Sequence, residues 1–454
     1  MSTPPGRRAA LSGWGRTSAT VGDLRVPLTV DDVRSAVLDA GPRGVAVRGL
    51  GRSYGDAAQN AGGTVVDLTA LDGFLAIDEE APTVTVQAGV SLDTLMRELL
   101  PRGLWLPVLP GTRQVTVGGA IAADVHGKNH HRDGSFGQHV RSLELLTADG
   151  TVRRLTPDGE ERSLFWATVG GMGLTGVVLS ATIALSRTSS SYFLVDTQRT
   201  RDIDDLLGVL AEGDDRYQYS VAWFDTTLTG RGLGRGVVTR GSAATPADLD
   251  TARAQDPLRF DAPSLGTVPD LVPSGLVNGA TARAFNLAWY LKAPRRRERE
   301  VQNITQFFHP LDVVSDWNRL YGARGFVQYQ FVVPFGAEET LRRIVVALAR
   351  SPYVSCLNVL KRFGPGDPAP LSFPLGGWTL AVDLPVAPGL GTLLDRFDEE
   401  VAAAGGRVYL AKDSRAATET IAAMYPRLDE FRAIRAAVDP DGRFRTDLAR
   451  RLAL

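Results

Sequence analysis

The chain has 454 residues, 44% of them hydrophobic and 22% charged, with a formal net charge of −1 and a single cysteine, Cys356. That length suits two or three domains with large cores. The balanced charge gives no global field for nucleic acid, and one cysteine excludes an intramolecular disulfide framework and any Cys-rich metal site.

Three blocks of different texture follow one another, 1–190, 191–405 and 406–454. The N-terminal MSTPPGRRAALSGWGRT lacks the apolar centre of a secretory signal, and no run of about 18 apolar residues occurs to span a bilayer. A protein of the cytoplasm is therefore expected. In the first block, Thr29 reads as an N-cap for VDDVRSAVLDAG, with acidic residues in the first turn and Gly41 as the stop. The strand VAVR, a glycine loop and a strand over 64–68 come next, then TVTVQA at 83–88, which alternates as a half-buried strand does. Ser91 caps SLDTLMRELL and Pro101 ends it.

The second block holds the strands FVQYQFVVP (326–334) and GWTLAVDLP (377–385). It also holds a Pro- and Gly-punctuated segment, 262–294, that reads as a long loop of the lid or binding kind. In the third block the strand RVYL precedes two helical patterns around VDPDGRF. That block is too short for its own core. It is expected to return to the first block and leave the second as an inserted cap.

Three glycine-rich stretches stand out. RGLGRSYGDAAQNAGG (48–63) follows a strand, but its G-x-G-x-x-x-G spacing is one residue too long for a dinucleotide fingerprint, and it lacks the Gly-Lys-Ser/Thr of a Walker loop. LPGTRQVTVGGAIAADVH (109–126) places Gly118 and Gly119 before a small-residue helical run whose first N–H groups suit an anion. WATVGGMGLTGVV (166–178) is the third. Small side chains let backbone donors approach a pyrophosphate or a flat ring. Three such loops in one block point to a large, extended dinucleotide.

These loops, with LLTADG and the late YLAKDSR, resemble the FAD-binding fold of the vanillyl-alcohol-oxidase superfamily. Within it the chain resembles the decaprenylphosphoryl-ribose 2-oxidase family nearly end to end, through WFD, QNITQF, GFVQYQFVVP, LSFP and MYPR to DLARRL. The resemblance implies an α+β, two-domain FAD-binding (PCMH-type) fold. The FAD-binding domain would run over 1–190 and be completed by 406–454, with an inserted antiparallel-sheet substrate cap over 191–405. It further implies oxidation of the 2′-hydroxyl of a polyprenyl-phosphoryl ribose to the ketone, the first half of an epimerisation to the arabinose form. A separate NAD(P)H-dependent short-chain reductase would complete the second half, and a quinone-type compound would accept the electrons.

Carried onto this sequence, the FAD contacts fall on Arg48, Gly49, Gly51, Arg52, Ser53, Tyr54 and Gly55 in the first loop. In the second they fall on Pro110, Gly111, Thr112, Thr116, Gly118, Gly119, Ala122, His126, Gly127 and Asn129, with Gly173, Val178 and Tyr409 beyond. Relatives that tether FAD through histidine carry it where this chain has Arg52, so non-covalent FAD is expected. The substrate pocket would be lined by Lys128, Phe308, Gln328, Gln330, Asn358, Lys361, Phe363, Thr379, Ala381 and Lys412. Mycobacterial members have cysteine in place of Ala381, and the family has asparagine in place of Thr379 and tyrosine in place of Phe308.

Oxidising a carbinol needs a base for the hydroxyl proton and donors that hold the substrate. Lys412, His126 and Tyr54 are the catalytic candidates. Lys412 follows an apolar strand, and Asp413, Ser414 and Arg415 are expected to open the next helix; a lysine beside a helix start and another cation has its neutral form favoured. Lys361 could meet the ribose-linked phosphate. Gln328 and Gln330 share a strand face opposite Val327, Tyr329, Phe331 and Val333, and two amides in so apolar a strand need partners such as sugar hydroxyls. His126, His130 and His131 lack an HExxH pattern and acidic partners at helical spacing, so no metal is expected, and the last two read as a solvated loop.

The stretch APSLGTVPDLVPSGLVNGATARAFNLAWYL beside the basic PRRRER suits peripheral contact with an anionic membrane surface. Two other readings compete: an alditol- or aldonolactone-type oxidase using O2 on a soluble sugar, and a lipid-glycan-binding protein on an inactive flavin fold.

Overall fold

The computed structural model describes residues 6–454. The helices start where the sequence places caps. Thr29 and Asp32 form a capping box that opens Val30–Leu38, which ends at Asp39, two residues short of Gly41. The Ser91 hydroxyl accepts from Thr94 N–H to open Leu92–Leu99. Pro101 then tightens the chain into a short 3₁₀ turn, Leu100–Arg102.

The first block forms two larger sheets, besides a two-stranded pair of Leu104–Trp105 with Ser186–Arg187. One is mixed, in the order Arg7–Ser12, Ala19–Arg25, Thr64–Asp67, Val45–Arg48, with parallel pairing on both sides of Thr64–Asp67. The other is antiparallel, in the order Phe74–Asp78, Thr83–Gln87, Val177–Ala184, Val140–Leu146, Val152–Leu155. A core of Val, Leu and Phe residues, with Phe136, Phe165 and Leu145 fully buried, packs against them.

The remainder builds one eight-stranded antiparallel sheet. Its order is Arg296–Asn303, Tyr192–Thr200, Gly236–Ala243, Tyr219–Phe224, Asn358–Phe363, Gly377–Pro385, Phe326–Pro334, Arg407–Val408. Both glutamine-bearing and aspartate-bearing strands run as far as the sequence suggests, Phe326–Pro334 and Gly377–Pro385. The strand expected over RVYL is only Arg407–Val408, and it is an edge of this sheet. Past it the chain turns back: Val45 exchanges backbone hydrogen bonds with Arg443 and Arg445, and Tyr425 donates from its hydroxyl to Val408 O.

One expectation needs correction. The segment 262–294 is not one irregular loop: Gly279–Lys292 is a helix opened by an Asn278 capping box. The basic run PRRRER leads into Arg296–Asn303, the outer strand of the large sheet, paired with Tyr192–Thr200. Among the described residues no helix is long and apolar enough to cross a membrane.

Candidate active site

The glycine loop leaves the edge strand Val45–Arg48 and runs against the second loop. A Cβ on Gly49 would lie 2.2 Å from Thr116 Oγ1, the N-cap oxygen of the helix Val117–Ala122, so only glycine allows the approach. Arg52 Nε donates to Gln114 O, and the Arg52 guanidinium lies 3.9 Å from the Trp14 ring centroid. In the third loop Gly170 N–H donates to Ile121 O and Met172 N–H to Ala122 O, on the second, while Gly173, at φ +74°, faces Val47 of the strand that leads into the first. All three glycine loops therefore meet.

Along this seam the backbone N–H groups of Gly49 to Ser53 find no acceptor among the described residues. Gly118, Gly119, Ala122 and Ala123 keep an open face on a helix otherwise packed in the core, and a Cβ on Gly111 would meet nothing within 4 Å. Gly118 and Gly119 lie inside that helix rather than before it. Unpaired amides beside a wall of small side chains fit the pyrophosphate and flat ring of FAD.

Several residues expected to contact FAD also make bonds within the protein that set the shape of the trough. Arg48 donates to Ala58 O and Ser12 O. Asn129 is fully buried and donates to Pro107 O and Asp133, while Val178 is buried in the first core. Ser53 O accepts from Trp14 N–H, and Pro110 O lies 3.2 Å from His309 Nε2. Thr112 Oγ1 accepts from Gln114 N–H, and Gly127 packs against Asn129 and Leu109.

The far wall of the trough carries side chains. Lys412 sits on a turn closed by Lys412 N–H and Asp413 N–H to Tyr409 O, and the following helix starts only at Thr418, so no helix terminus acts on it. Tyr54 N–H donates to Ala411 O, and a Cβ on Gly55 would lie 2.0 Å from Asp413 O, so the first loop and this turn are pressed together. Arg451 clamps both: it pairs with Asp56 in a fork at 2.8 and 3.0 Å and with Asp413 at 2.9 Å. This contact places the Lys412 ammonium 3.8 Å from the Tyr54 ring centroid.

Strand register supplies the rest. Gln328 lies opposite Asp383, Gln330 opposite Ala381 and Val332 opposite Thr379; Ala381 and Thr379 in turn face Val359 and Lys361. Residues that pair directly share a face, so Gln328, Gln330, Asp383, Ala381, Thr379, Lys361 and Phe363 look one way. Gln330 Nε2 lies 3.0 Å from His126 Nε2, and the His126 ring packs 4.8 Å from Phe363 and 5.2 Å from Tyr409. Tyr409 stacks on Phe373 and donates to Ala123 O.

Asn358 is a correction. It pairs with Val382, on the opposite face, where its Nδ2 donates to Phe224 O and Ser355 O. Strand alternation alone forbids Asn358 and Lys361, three residues apart, from facing one pocket. Phe308 is buried among Trp105, Phe193 and Tyr219, with Lys128 Nζ 5.5 Å from its ring. His130 and His131 do not form a solvated loop: the His130 ring packs 4.5 Å from Phe363 and its Nδ1 accepts from Gly364 N–H, while His131 Nε2 lies 3.1 Å from Tyr217 O.

The electrostatics are unusual. Of the four lysines in the chain, three (Lys128, Lys361 and Lys412) stand at this site. Burial pushes Lys128 and Lys412 down to about 7, and Lys361 down to about 8. Arginine would stay charged there, whereas lysine can give up its proton. Burial, with Lys361, His130 and Lys412 nearby, also holds His126 well below the usual imidazole range. Lys128 donates to Phe307 O; Lys361 and Lys412 make no hydrogen bond or ion pair among the described residues.

Asp383 was not singled out by the sequence reading. It is fully buried, accepts from Gln328 Nε2 at 2.6 Å and is pushed up to about 7 by burial, against the pull of Gln328 and Lys412. The strand GWTLAVDLP held a usable signal, since Asp383, Ala381 and Thr379 alternate onto one face.

Comparison with known proteins now bears on this geometry. The FAD binding domain family matches residues 24–156, and the D-arabinono-1,4-lactone oxidase family matches residues 327–452. The chain is 52% identical to the decaprenylphosphoryl-β-D-ribose oxidase of Mycolicibacterium smegmatis over the full length of both. The chain belongs to the decaprenylphosphoryl-β-D-ribose oxidase family of FAD-linked oxidases. It is 45% identical to an uncharacterised protein of Streptomyces coelicolor, over 80% of this chain and all of that one. It is also 31% identical to the alditol oxidase of a Streptomyces species, but over only 39% of this chain and 42% of that enzyme. The chain is thus an FAD-dependent oxidoreductase, and the matched FAD binding domain spans the first two glycine loops.

Proposed function

We propose that this enzyme oxidises the 2′-hydroxyl of a polyprenyl-phosphoryl ribose to the ketone. One observation carries the reading: an ammonium with no hydrogen-bonding partner, Lys412, stands with two carboxamides on the wall facing the FAD trough. A buried polar group without a partner is costly, and a substrate hydroxyl supplies one. FAD, when bound, provides the hydride acceptor for alcohol oxidation.

The chain's own residues do the rest. Lys412, pushed down to about 7, accepts the hydroxyl proton in its neutral form. Tyr54 packs its ring against that ammonium and fixes its reach. Gln328, Gln330 and the neutral His126 orient the sugar, while Lys361 and Lys128 meet the anionic phosphate. Amides of 49–53 and the open face of 117–122 hold the cofactor without a covalent bond, since the guanidinium of Arg52, held on Gln114 and Trp14, cannot form the tether that a histidine forms.

The proposal extends to the division of labour. Residues 1–190 and 406–454 would bind FAD and 191–405 would cap the substrate. A nicotinamide-dependent reductase would take the ketone, and a quinone-type compound the electrons. The polyprenyl tail calls for a membrane surface. Leu265, Leu271, Phe285, Leu287, Trp289 and Leu291 are exposed, and the last four lead along the chain to the exposed Lys292, Arg296 and Arg297, a combination suited to an anionic leaflet.

Anaerobic mixing with polyprenyl-phosphoryl ribose tests the reading. Bleaching of the flavin band together with a keto-sugar product is expected. Bleaching by soluble alditols but not by the lipid sugar would overturn it.

A further inference from the structure

Both glutamines of the sugar-facing sheet have their amide nitrogens fully engaged. Gln328 Nε2 donates to Asp383 Oδ1 at 2.6 Å and to Tyr54 Oη at 3.2 Å. Gln330 Nε2 lies 3.0 Å from His126 Nε2 and 3.3 Å from Thr379 Oγ1. A primary amide has two N–H donors, so each is used up. Neither carboxamide oxygen accepts a hydrogen bond among the described residues, and neither belongs to the fully buried unpaired atoms, so both keep contact with open space.

This polarity is dictated by one neighbouring strand, Gly377–Pro385. Turning the Gln328 amide over would set its oxygen 2.6 Å from the Asp383 carboxylate. The Thr379 hydroxyl spends its proton on Phe331 O at 3.0 Å, so its oxygen can only accept, and a turned Gln330 would face it oxygen to oxygen. Asp383 is directly opposite Gln328, and Thr379 is two residues along the same face from Gln330's partner Ala381. The other groups around Asp383 are Lys412, Tyr54, Tyr321 and Cys356, and none of them is hydrogen-bonded to it; its second oxygen, Oδ2, is buried without a partner.

We infer that Asp383 is a positioning residue that locks the Gln328 carboxamide with its oxygen toward the pocket, so that the site reads a substrate hydroxyl as a hydrogen-bond donor. Thr379 does the same for Gln330. The pocket therefore offers two carboxamide acceptors beside the unpaired side chains of Lys412 and Lys361, a match for a molecule with hydroxyl donors and an anionic group. A sugar carrying fluorine or a methyl ether at those hydroxyls is refused. The inference rests on the sugar substrate proposed above.

The test exchanges the charge across the pair and uses a short-chain polyprenyl-phosphoryl ribose as probe. Asp383→Asn is expected to raise KM about tenfold, the scale of one lost hydrogen bond, with a smaller effect on kcat. Gln328→Glu places two carboxylates side by side and is expected to be at least as poor. The double variant Asp383→Asn/Gln328→Glu restores one acceptor facing the pocket and one donor behind it, and is expected to recover most of the lost KM.

A packing role for Asp383 would not give that recovery. An unchanged KM in Asp383→Asn, or a double variant no better than the worse single, overturns the inference while wild-type turnover leaves the proposed function standing. If the wild type does not turn over the probe at all, the proposed function itself fails. Should Asp383→Asn lose its FAD, Gln328→Met, which keeps the aspartate and removes the acceptor, is expected to raise KM by a similar factor. An unchanged KM there also overturns the inference.

Discussion

The two walls of the proposed active site, one for FAD and one for the sugar, are made of different material. The cofactor wall is backbone: free amides at 49–53, a helix face of glycine and alanine, and glycines where any Cβ would collide. The substrate wall is side chain: lysines, carboxamides, an aspartate and a histidine projected from one sheet face and one turn. A backbone wall fixes shape and accepts FAD whatever the side chains nearby. A side-chain wall fixes protonation and polarity, and those depend on what lies behind each group.

The contrast can be broken most sharply at Lys412. Lys412→Ala is expected to keep its FAD and lose about a hundredfold or more of the flavin reduction rate in anaerobic stopped flow. A variant that reduces at the wild-type rate would remove Lys412 from the chemistry. The next largest effect is with pH. Lys412 is pushed down to about 7 and Asp383 up to about 7, so the neutral amine and the ionised carboxyl both appear as pH rises through 7. The reduction rate should therefore fall as the pH drops below 7, by about tenfold per unit once a single ionisation dominates. Lys412→Arg, fixed in its charged form, should lose both rate and that limb.

On the cofactor wall, Gly111→Ala has room within the protein itself. Its apoprotein should melt as wild type does while its FAD affinity, measured by titration, falls. Equal loss of both would mean that Gly111 shapes the protein and not the cofactor space. Asn358→Ala sharpens the comparison from the far face of the sheet. It should cost about 1–3 kcal/mol of stability through its lost hydrogen bonds, with KM unchanged. The smallest effect belongs to Ala381→Cys. Its side chain shares the Gln330 face, so turnover should stay near wild type while a thiol-reactive probe gains a target there.

How much was legible in the residues differs between the walls in the same way. Gly49, Gly118, Gly119 and Gly173 announce a backbone site because glycine is needed where chains approach closely. Gln328 and Gln330 were legible from alternation within one strand. Asp383 was missed because its importance comes from the strand opposite, and Asn358 was misplaced because the three-residue spacing from Lys361 was not set against strand period. Lys412 was found, but for a helix terminus that begins six residues later, at Thr418. Its depressed proton affinity comes from burial, with Lys361 adding to it and Asp383 opposing it.

By itself the sequence determined where helices cap, which strands form, where backbone must stand bare for a dinucleotide, and which side chains share a strand face. These follow from bond geometry and short-range periodicity. Only the tertiary structure decided which strand faces which, and therefore that Asp383 backs Gln328, that Asn358 turns away and that Arg451 draws the first glycine loop onto the Lys412 turn. Register and burial are long-range quantities, set when distant segments pack, and the proton affinities of a buried cluster follow from them.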